Sequence, residues 1–447
     1  MAQFASASDG SEVSSRVTSS GTTPPGAGSS ASATLVDRVV GPYRSLTRFL
    51  ERRALVRAAR AVPRSLRHMG ATVRHGMGFG EGDAPRYSPG LVLGVAADEA
   101  FLAIAMAPSR FPRRADYARV SEELADAEQL FAARGWIADP STYHRTPPAL
   151  DGSQVQLSRG WALGLGYEQM AFESGFSPRP DEPGADRWMG FEPNRRAVAS
   201  IVRHPDHGES RPWIVSVHGF AMGYPSMDFL GLRTARLHHG LGFNVASVVL
   251  PLHGQRKVTR VSGEPFLSFD LMNTVHGFSQ SVWDIRRLVT WIRGQGATSV
   301  SVYGVSLGAY VVSLLTGIED GLASVVAGIP VIDLPALFHE QSPAHVRARS
   351  IEHHIIGPSA HSAFAPVSPL GFTPKVPHGG RFIFAGRGDR LANPEHARRL
   401  WEHWERPPIS WYWGSHIGYL WSRQVATFLE DSLAATGGER LVLPEAG

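Results

Sequence analysis

Ser306 stands in Gly304-Val305-Ser306-Leu307-Gly308, a G-x-S-x-G pattern whose hydroxyl is a candidate nucleophile. In a chain with 47 glycines the pattern needs support from its surroundings, since a serine opening a helix can equally be an N-cap. Three further stretches give that support. His218-Gly219-Phe220 comes upstream, where a glycine turn can aim a backbone N–H at a developing oxyanion. Asp389 follows in FAGRGDRLANPEH and His416 in WYWGSHIG. Serine, acid and histidine in that order suit a nucleophile held on a strand-to-helix turn of a parallel sheet. Each position has rivals. Asp333, after VAGIPVIDL, competes for the acid. His339, His345, His353, His354 and His361 compete with His416 but fall in a long irregular insertion. His218 reads as a residue that orients the glycine turn. His253, in PLHGQRK at the carboxyl end of a strand, is either a cleft residue or an ordinary turn residue.

These residues need elements to bring them together. PWIVSVHGF, FNVASVVLPLHG, SVSVYGV, ASVVAGIPVIDL, RFIFAGRGD and ISWYWGSH read as strands. SMDFLGLRTARLHHGLG, SVWDIRRLVTWIRGQGA, SLGAYVVSLLTGI, NPEHARRLWEHW and IGYLWSRQVATFLEDSLAA read as the helices between and after them. YEQMAFESGF, DRWMGF and RRAVASIVRH look like opening strands. The alternation predicts a parallel sheet with helices on both faces. Ser306 then occupies a sharp turn between strand and helix. Gly304 and Gly308 are needed there because a Cβ would clash where the backbones approach. The helix start also favours negative charge developing on a substrate. Two interruptions, residues 255–275 and 333–378, fall at the carboxyl edge, and the second mixes aliphatic, aromatic and histidine residues, as a partly apolar cap would. Arg256, Lys257 and Arg260 could meet an anionic group or form a solvated charge run.

With these motifs placed, residues of roughly 160 to 435 resemble the α/β-hydrolase superfamily, on the HGF, GVSLG, GRGD and GSH segments and their intervening strands. The likeness leans towards esterases, acyl hydrolases and relatives of dienelactone hydrolases and oligopeptidases. Dehalogenases and epoxide hydrolases would carry Asp at position 306. The resemblance implies an α/β fold with a mostly parallel central sheet, a cap insertion and a helical N-terminal extension. It implies Ser306 as nucleophile, His416 as the base that takes its proton, and Asp389 as the acid that orients the imidazole. Backbone N–H groups of Leu307 and Phe220, or Ala221, would form an oxyanion hole. A carboxylic ester, with an apolar or lipid acyl group, is the expected substrate. A thioesterase, a peptidase or an acyltransferase would use the same triad. A non-catalytic binding or scaffold protein of hydrolase fold is the alternative from another class.

Composition narrows the rest. The chain has 447 residues, no cysteine, 43% hydrophobic residues and a net charge of +4. Disulfides, thiolate metal sites and cysteine nucleophiles are therefore excluded. The 19 histidines show no metal-ligand spacing, so no metal and no cofactor are expected. Only Lys257 and Lys375 are lysine among the 44 basic residues. Residues 1–33, rich in Ser, Ala, Gly, Thr and Pro, read as a disordered tail. Residues 34–150 read as a mainly helical extension, 151–437 as the catalytic domain with its cap at about 333–378, and 438–447 as a C-terminal tail. Between residues 37 and 74 there are ten arginines against Asp37 and Glu51, on an amphipathic pattern of Val36, Val39, Val40, Tyr43, Leu46 and Leu50. That segment reads as a helix packed on the main domain, or else as an interfacial helix drawn to anionic membrane. No nucleic-acid module accompanies it. Neither a secretory signal nor a membrane span is apparent, and the expected location is the cytoplasm, with peripheral membrane association through residues 35–74 as a variant.

Overall fold

The computed structural model describes residues 91, 94–96, 98, 112–205 and 211–438. The expectations for the tail 1–33, for the basic segment 34–74 and for residues 439–447 lie outside the described residues.

The described chain opens on helical residues Leu91, Gly94, Val95, Ala96 and Asp98. Helix α1 (Arg114–Ala133) follows and buries Tyr117, Val120, Leu124, Ala127 and Phe131, a three-and-four spacing that turns one stripe into the core. Strands β1 (Gln156–Ala162) and β2 (Leu165–Glu173), short helix α2 (Ala185–Met189) and strand β3 (Arg196–Val202) lead to β4 (Trp213–Val217). Then come α3 (Pro225–Gly231), β5 (Asn244–Val249), α4 (Leu271–Gly294), β6 (Val300–Val305), α5 (Leu307–Thr316) and β7 (Ser324–Gly328). Three helices, α6 (Leu334–Gln341), α7 (Ala344–Glu352) and α8 (Pro358–Phe364), precede β8 (Arg381–Gly386), α9 (Pro394–His403), β9 (Ile409–Tyr412) and α10 (Arg423–Ala434).

The nine strands form one sheet in the order β1-β2-β3-β5-β4-β6-β7-β8-β9. Pairings from β5 through β4, β6, β7 and β8 to β9 are parallel, while β1–β2, β2–β3 and β3–β5 are antiparallel. The central strands bury both faces, as a sheet sandwiched between helices must. Alternate residues divide between two cores. Val215, Val217, Val302 and Ile383 face one side, with α1, α4, α5 and α9. Ile214, Tyr303, Val305 and Phe384 face the other, with α3 and α10. This period of two fixes which side chains surround each strand end.

Several local expectations are corrected. DRWMGF is not a strand: Ala185–Met189 is helical, and Ala185 and Trp188, three residues apart, turn inward together. Strand β1 was unanticipated because its residues are largely exposed and carry no buried run. The pattern SMDFLGLRTARLHHGLG is broken after α3, where Arg233 adopts φ +54°, and resumes at Thr234 as a short helical stretch that widens into a π-turn at Arg236–Gly240. Helix α4 starts at Leu271, ten residues before the expected SVWDIRRL start. The 333–378 interruption is not irregular, since it holds α6, α7 and α8. Arg256 neither meets solvent nor lines a groove. It is 1% exposed, paired with Asp284 at 2.9 Å, and donates to the carbonyls of Val249 and Asn194.

Candidate active site

The sheet order makes β4 the switch strand, with β5 on one side and β6 on the other. Crevices at the carboxyl ends of such strands are where ligands bind in open α/β sheets. Val217 of β4 pairs with Gly304 of β6, so the residues that follow each strand emerge side by side. One emerging segment is His218-Gly219-Phe220 and the other is Val305-Ser306.

Ser306 has φ +55° and ψ −115°, in a region that side-chain-bearing residues avoid. The surroundings hold it there. Its N–H donates to Gly328 O at 2.9 Å, and its own carbonyl accepts from Tyr310 N at 3.1 Å. A Cβ on Gly304 would lie 2.2 Å from Gly308 O, and one on Gly308 would lie 2.1 Å from Val217 O. Both glycines are therefore required by backbone contact. Gly219 lies next to the serine, since a Cβ there would be 3.6 Å from the Ser306 Cβ.

His218 is fully buried and holds the neighbouring turn. Leu250 N–H donates to its Nε2 at 3.1 Å, so Nδ1 carries the hydrogen and donates to Gly219 O at 2.8 Å. A trans peptide points its N–H opposite to its C=O. With Gly219 O turned to the imidazole, the Phe220 N–H faces the other way, and among the described residues it has no acceptor. The Leu307 N–H is the first of α5, one of the donors a helix start leaves without an intrahelical partner. Ala221, at φ +65°, continues the strained turn. His253 is not brought to an open cleft. It is fully buried behind Phe220, with ring centroids 6.0 Å apart, and Nδ1 meets Pro251 O at 2.8 Å. Burial, with His218 nearby, pushes its pKa well below the ordinary value.

The acid and the histidine meet. Asp389 Oδ2 accepts from His416 Nδ1 at 2.7 Å, while its Oδ1 accepts from Leu391 N and Ala392 N at 2.9 and 2.8 Å. Nε2 of His416 is thus the nitrogen left for proton transfer. Burial opposes the charged imidazole, but the charge and hydrogen bond of Asp389, with a further contribution from Asp98, raise its pKa above the ordinary value. The histidine loop folds back across the sheet edge: Arg233 donates to Tyr419 O at 2.7 Å, and a Cβ on Gly231 would lie 2.7 Å from Met222 Cε and 3.5 Å from the Tyr419 hydroxyl. Met222 belongs to the turn after Phe220, so this loop and the glycine turn share a wall. Asp333 does not join them. It caps α6 through Ala336 N and pairs with Arg399, both bonds at 2.9 and 2.8 Å respectively. His339, His345, His353, His354 and His361 remain on or beside α6, α7 and α8.

One residue escaped the sequence reading. Asp98, fully buried, accepts from His416 N at 2.7 Å and Ile417 N at 3.0 Å. Its signal was a charged residue in the apolar run LVLGVAADEAFLAIAMAP, at helical spacing from Leu91, Gly94 and Val95.

A mostly parallel sheet with one crossover at β4, and a strained serine between β6 and α5, define the α/β-hydrolase fold. No family model matches the sequence. Two uncharacterized proteins of Mycobacterium tuberculosis, MT2702 of strain CDC 1551 / Oshkosh and Rv2627c of strain ATCC 25618 / H37Rv, are each 40% identical over 323 residues, 72% of this chain and 76% of theirs. Among solved structures, acetyl xylan esterase 1 from Thermoanaerobacterium sp. JW/SL YS485 matches 63% of this chain and 98% of its own, at 13% identity and TM-score 0.42. The Pyrococcus furiosus esterase Pf2001 matches 66% and 100%, at 17% and 0.40. A Mycobacterium tuberculosis puromycin-hydrolyzing peptidase matches 63% and 46%, at 14% and 0.41. The chain belongs to one family with the two mycobacterial relatives, and its sheet has the α/β-hydrolase fold. Among the described residues no helix is long and apolar enough to cross a membrane.

Proposed function

We propose that the protein is a serine hydrolase that cleaves a carboxylic ester through an acyl-enzyme on Ser306. The observation that carries this reading is the buried Asp389–His416 hydrogen bond of 2.7 Å, at the same sheet edge as a serine in a strained turn. His416 Nε2 removes the Ser306 proton as Oγ attacks the ester carbonyl. The Phe220 and Leu307 N–H groups receive the oxyanion. As the tetrahedral species collapses, the C–O bond to the alcohol breaks and His416 returns the proton to the leaving oxygen. Water repeats the sequence and releases the acid. Asp389 fixes the tautomer and stabilises the imidazolium. Each backbone donor of an oxyanion hole typically contributes ~3 kcal/mol to the transition state.

A fluorophosphonate probe tests this directly. Labelling of the folded chain that disappears in Ser306→Ala supports it, while a folded chain that stays unlabelled sinks it. A chain-length series of p-nitrophenyl esters then sets the acyl preference.

A further inference from the structure

The helical residues before α1 face the loops that carry the acid and the histidine. Leu91 lies over Gly388, where a Cβ would come within 2.6 Å of the leucine Cδ1. Gly94 lies over Ser415, since a Cβ there would be 2.7 Å from the serine Oγ. Asp98 closes the series beneath His416. Positions 91, 94, 95 and 98 follow the spacing of a single helix face, and that face holds a carboxylate where an apolar residue is expected. A fully buried carboxylate is costly unless hydrogen-bonded, and both oxygens of Asp98 are engaged.

The geometry points to Asp98 as a positioning residue, a carboxylate from the N-terminal extension that clamps the backbone of His416 and sets where its imidazole lies. This rests on the serine-hydrolase reading and adds to it a part of the chain outside the sheet. Two charge-assisted bonds to consecutive N–H groups pin the loop between β9 and α10. Asp389 holds the ring and Asp98 holds the backbone beneath it. The titratable groups acting on the imidazole are Asp389 from the loop after β8 and Asp98 from the N-terminal segment; Tyr412 from β9 donates its hydroxyl to Ser415 O at 2.7 Å, on the backbone of the same loop. His396 on α9 feels the charge of Asp389. Burial, and then the charge of Asp389, raise the pKa of Asp98 to about 7. Its ionised form in turn favours a protonated His416.

The test follows the second-order rate of fluorophosphonate labelling against pH, on the full chain, so no substrate need be known. In Asp98→Asn the plateau rate falls about tenfold or more as the loop loses its clamp. The acid midpoint moves down by about half a unit or more, because a negative charge beside the imidazole is gone. Asp98→Glu keeps the charge but misplaces it, so its plateau falls while its midpoint stays near the parent's. Parent-like plateaus in both variants overturn the proposal. So does a slower Asp98→Asn with an unmoved midpoint, since that is a purely structural effect. If Asp98→Asn does not fold, Asp98→Glu decides alone, and a parent-like plateau there is the overturning result. A folded parent that takes no label removes the hydrolase reading itself, and this proposal with it.

Discussion

Asp389 and Asp333 leave two neighbouring parallel strands of one sheet, β8 and β7, at the same edge. Both are largely shielded from solvent, and both accept backbone N–H bonds from the turn that follows. Their second oxygens separate them. That of Asp389 meets an imidazole and that of Asp333 meets a guanidinium on α9. His361 lies 3.9 Å from Asp333 Oδ1, on a largely exposed side chain and beyond hydrogen-bond distance, and an arginine cannot give up its proton near neutrality. A histidine can, so the Asp389 pair can cycle a proton. The partner, rather than the carboxylate or its position after a strand, decides which aspartate could take part in proton transfer.

Substitution pulls the two apart most strongly at the acid itself. Asp389→Asn should lower kcat on a p-nitrophenyl ester about 10⁴-fold, by presenting a donor to Nδ1 and favouring the wrong tautomer, while the melting temperature changes little. An activity within tenfold of the parent would remove Asp389 from the mechanism. A third carboxylate sharpens the contrast. Asp284, paired with Arg256 in the interior, has neither a chemical partner nor a solvent-facing one. Arg256→Met removes the guanidinium paired with that buried charge, leaving Ser174 and the more distant Arg287 to offset it, and should cost about 3 kcal/mol in urea unfolding. The folded fraction should still label at Ser306. Asp333→Ala should cost only about 1–2 kcal/mol, as the loss of a helix cap, with labelling within twofold of the parent.

The pKa values of Asp333 and His416 shift in opposite directions, yet stability and activity should both fall as the pH drops, in different windows. Asp333 is partly buried, which opposes its charge, but Ala336 N–H and Arg399 hold its pKa below the usual value. Its contribution to stability is present above the unfolded pKa and is lost as pH falls through the folded one, so Asp333→Ala should flatten the acid destabilisation below about pH 4. His416 must be neutral to act, and its pKa is raised. Hydrolysis should therefore rise with pH through a midpoint above the ~6.5 of an ordinary histidine. A midpoint below that value would contradict the Asp389 and Asp98 contacts.

Much of the sheet was legible because a buried parallel strand is a run of β-branched and small apolar residues, and SVSVYGV or RFIFAG can be little else. Gly304 and Gly308 were legible for a similar reason, since G-x-S-x-G encodes a close backbone approach within five residues. DRWMGF misled because a single helical turn and a short strand bury the same kind of residue. Arg256 misled because nothing local announces that Asp284 waits for it across the interior.

Local order in the chain thus settles the alternation of strands and helices, the serine turn and the succession of serine, acid and histidine. These depend on interactions between near neighbours, which side-chain periodicity and glycine placement record. Which aspartate faces the histidine, where His253 points and what Asp98 holds are contacts between residues far apart in the chain. They arise only when the sheet has set its strand order and the loops at its carboxyl edge have packed on one another.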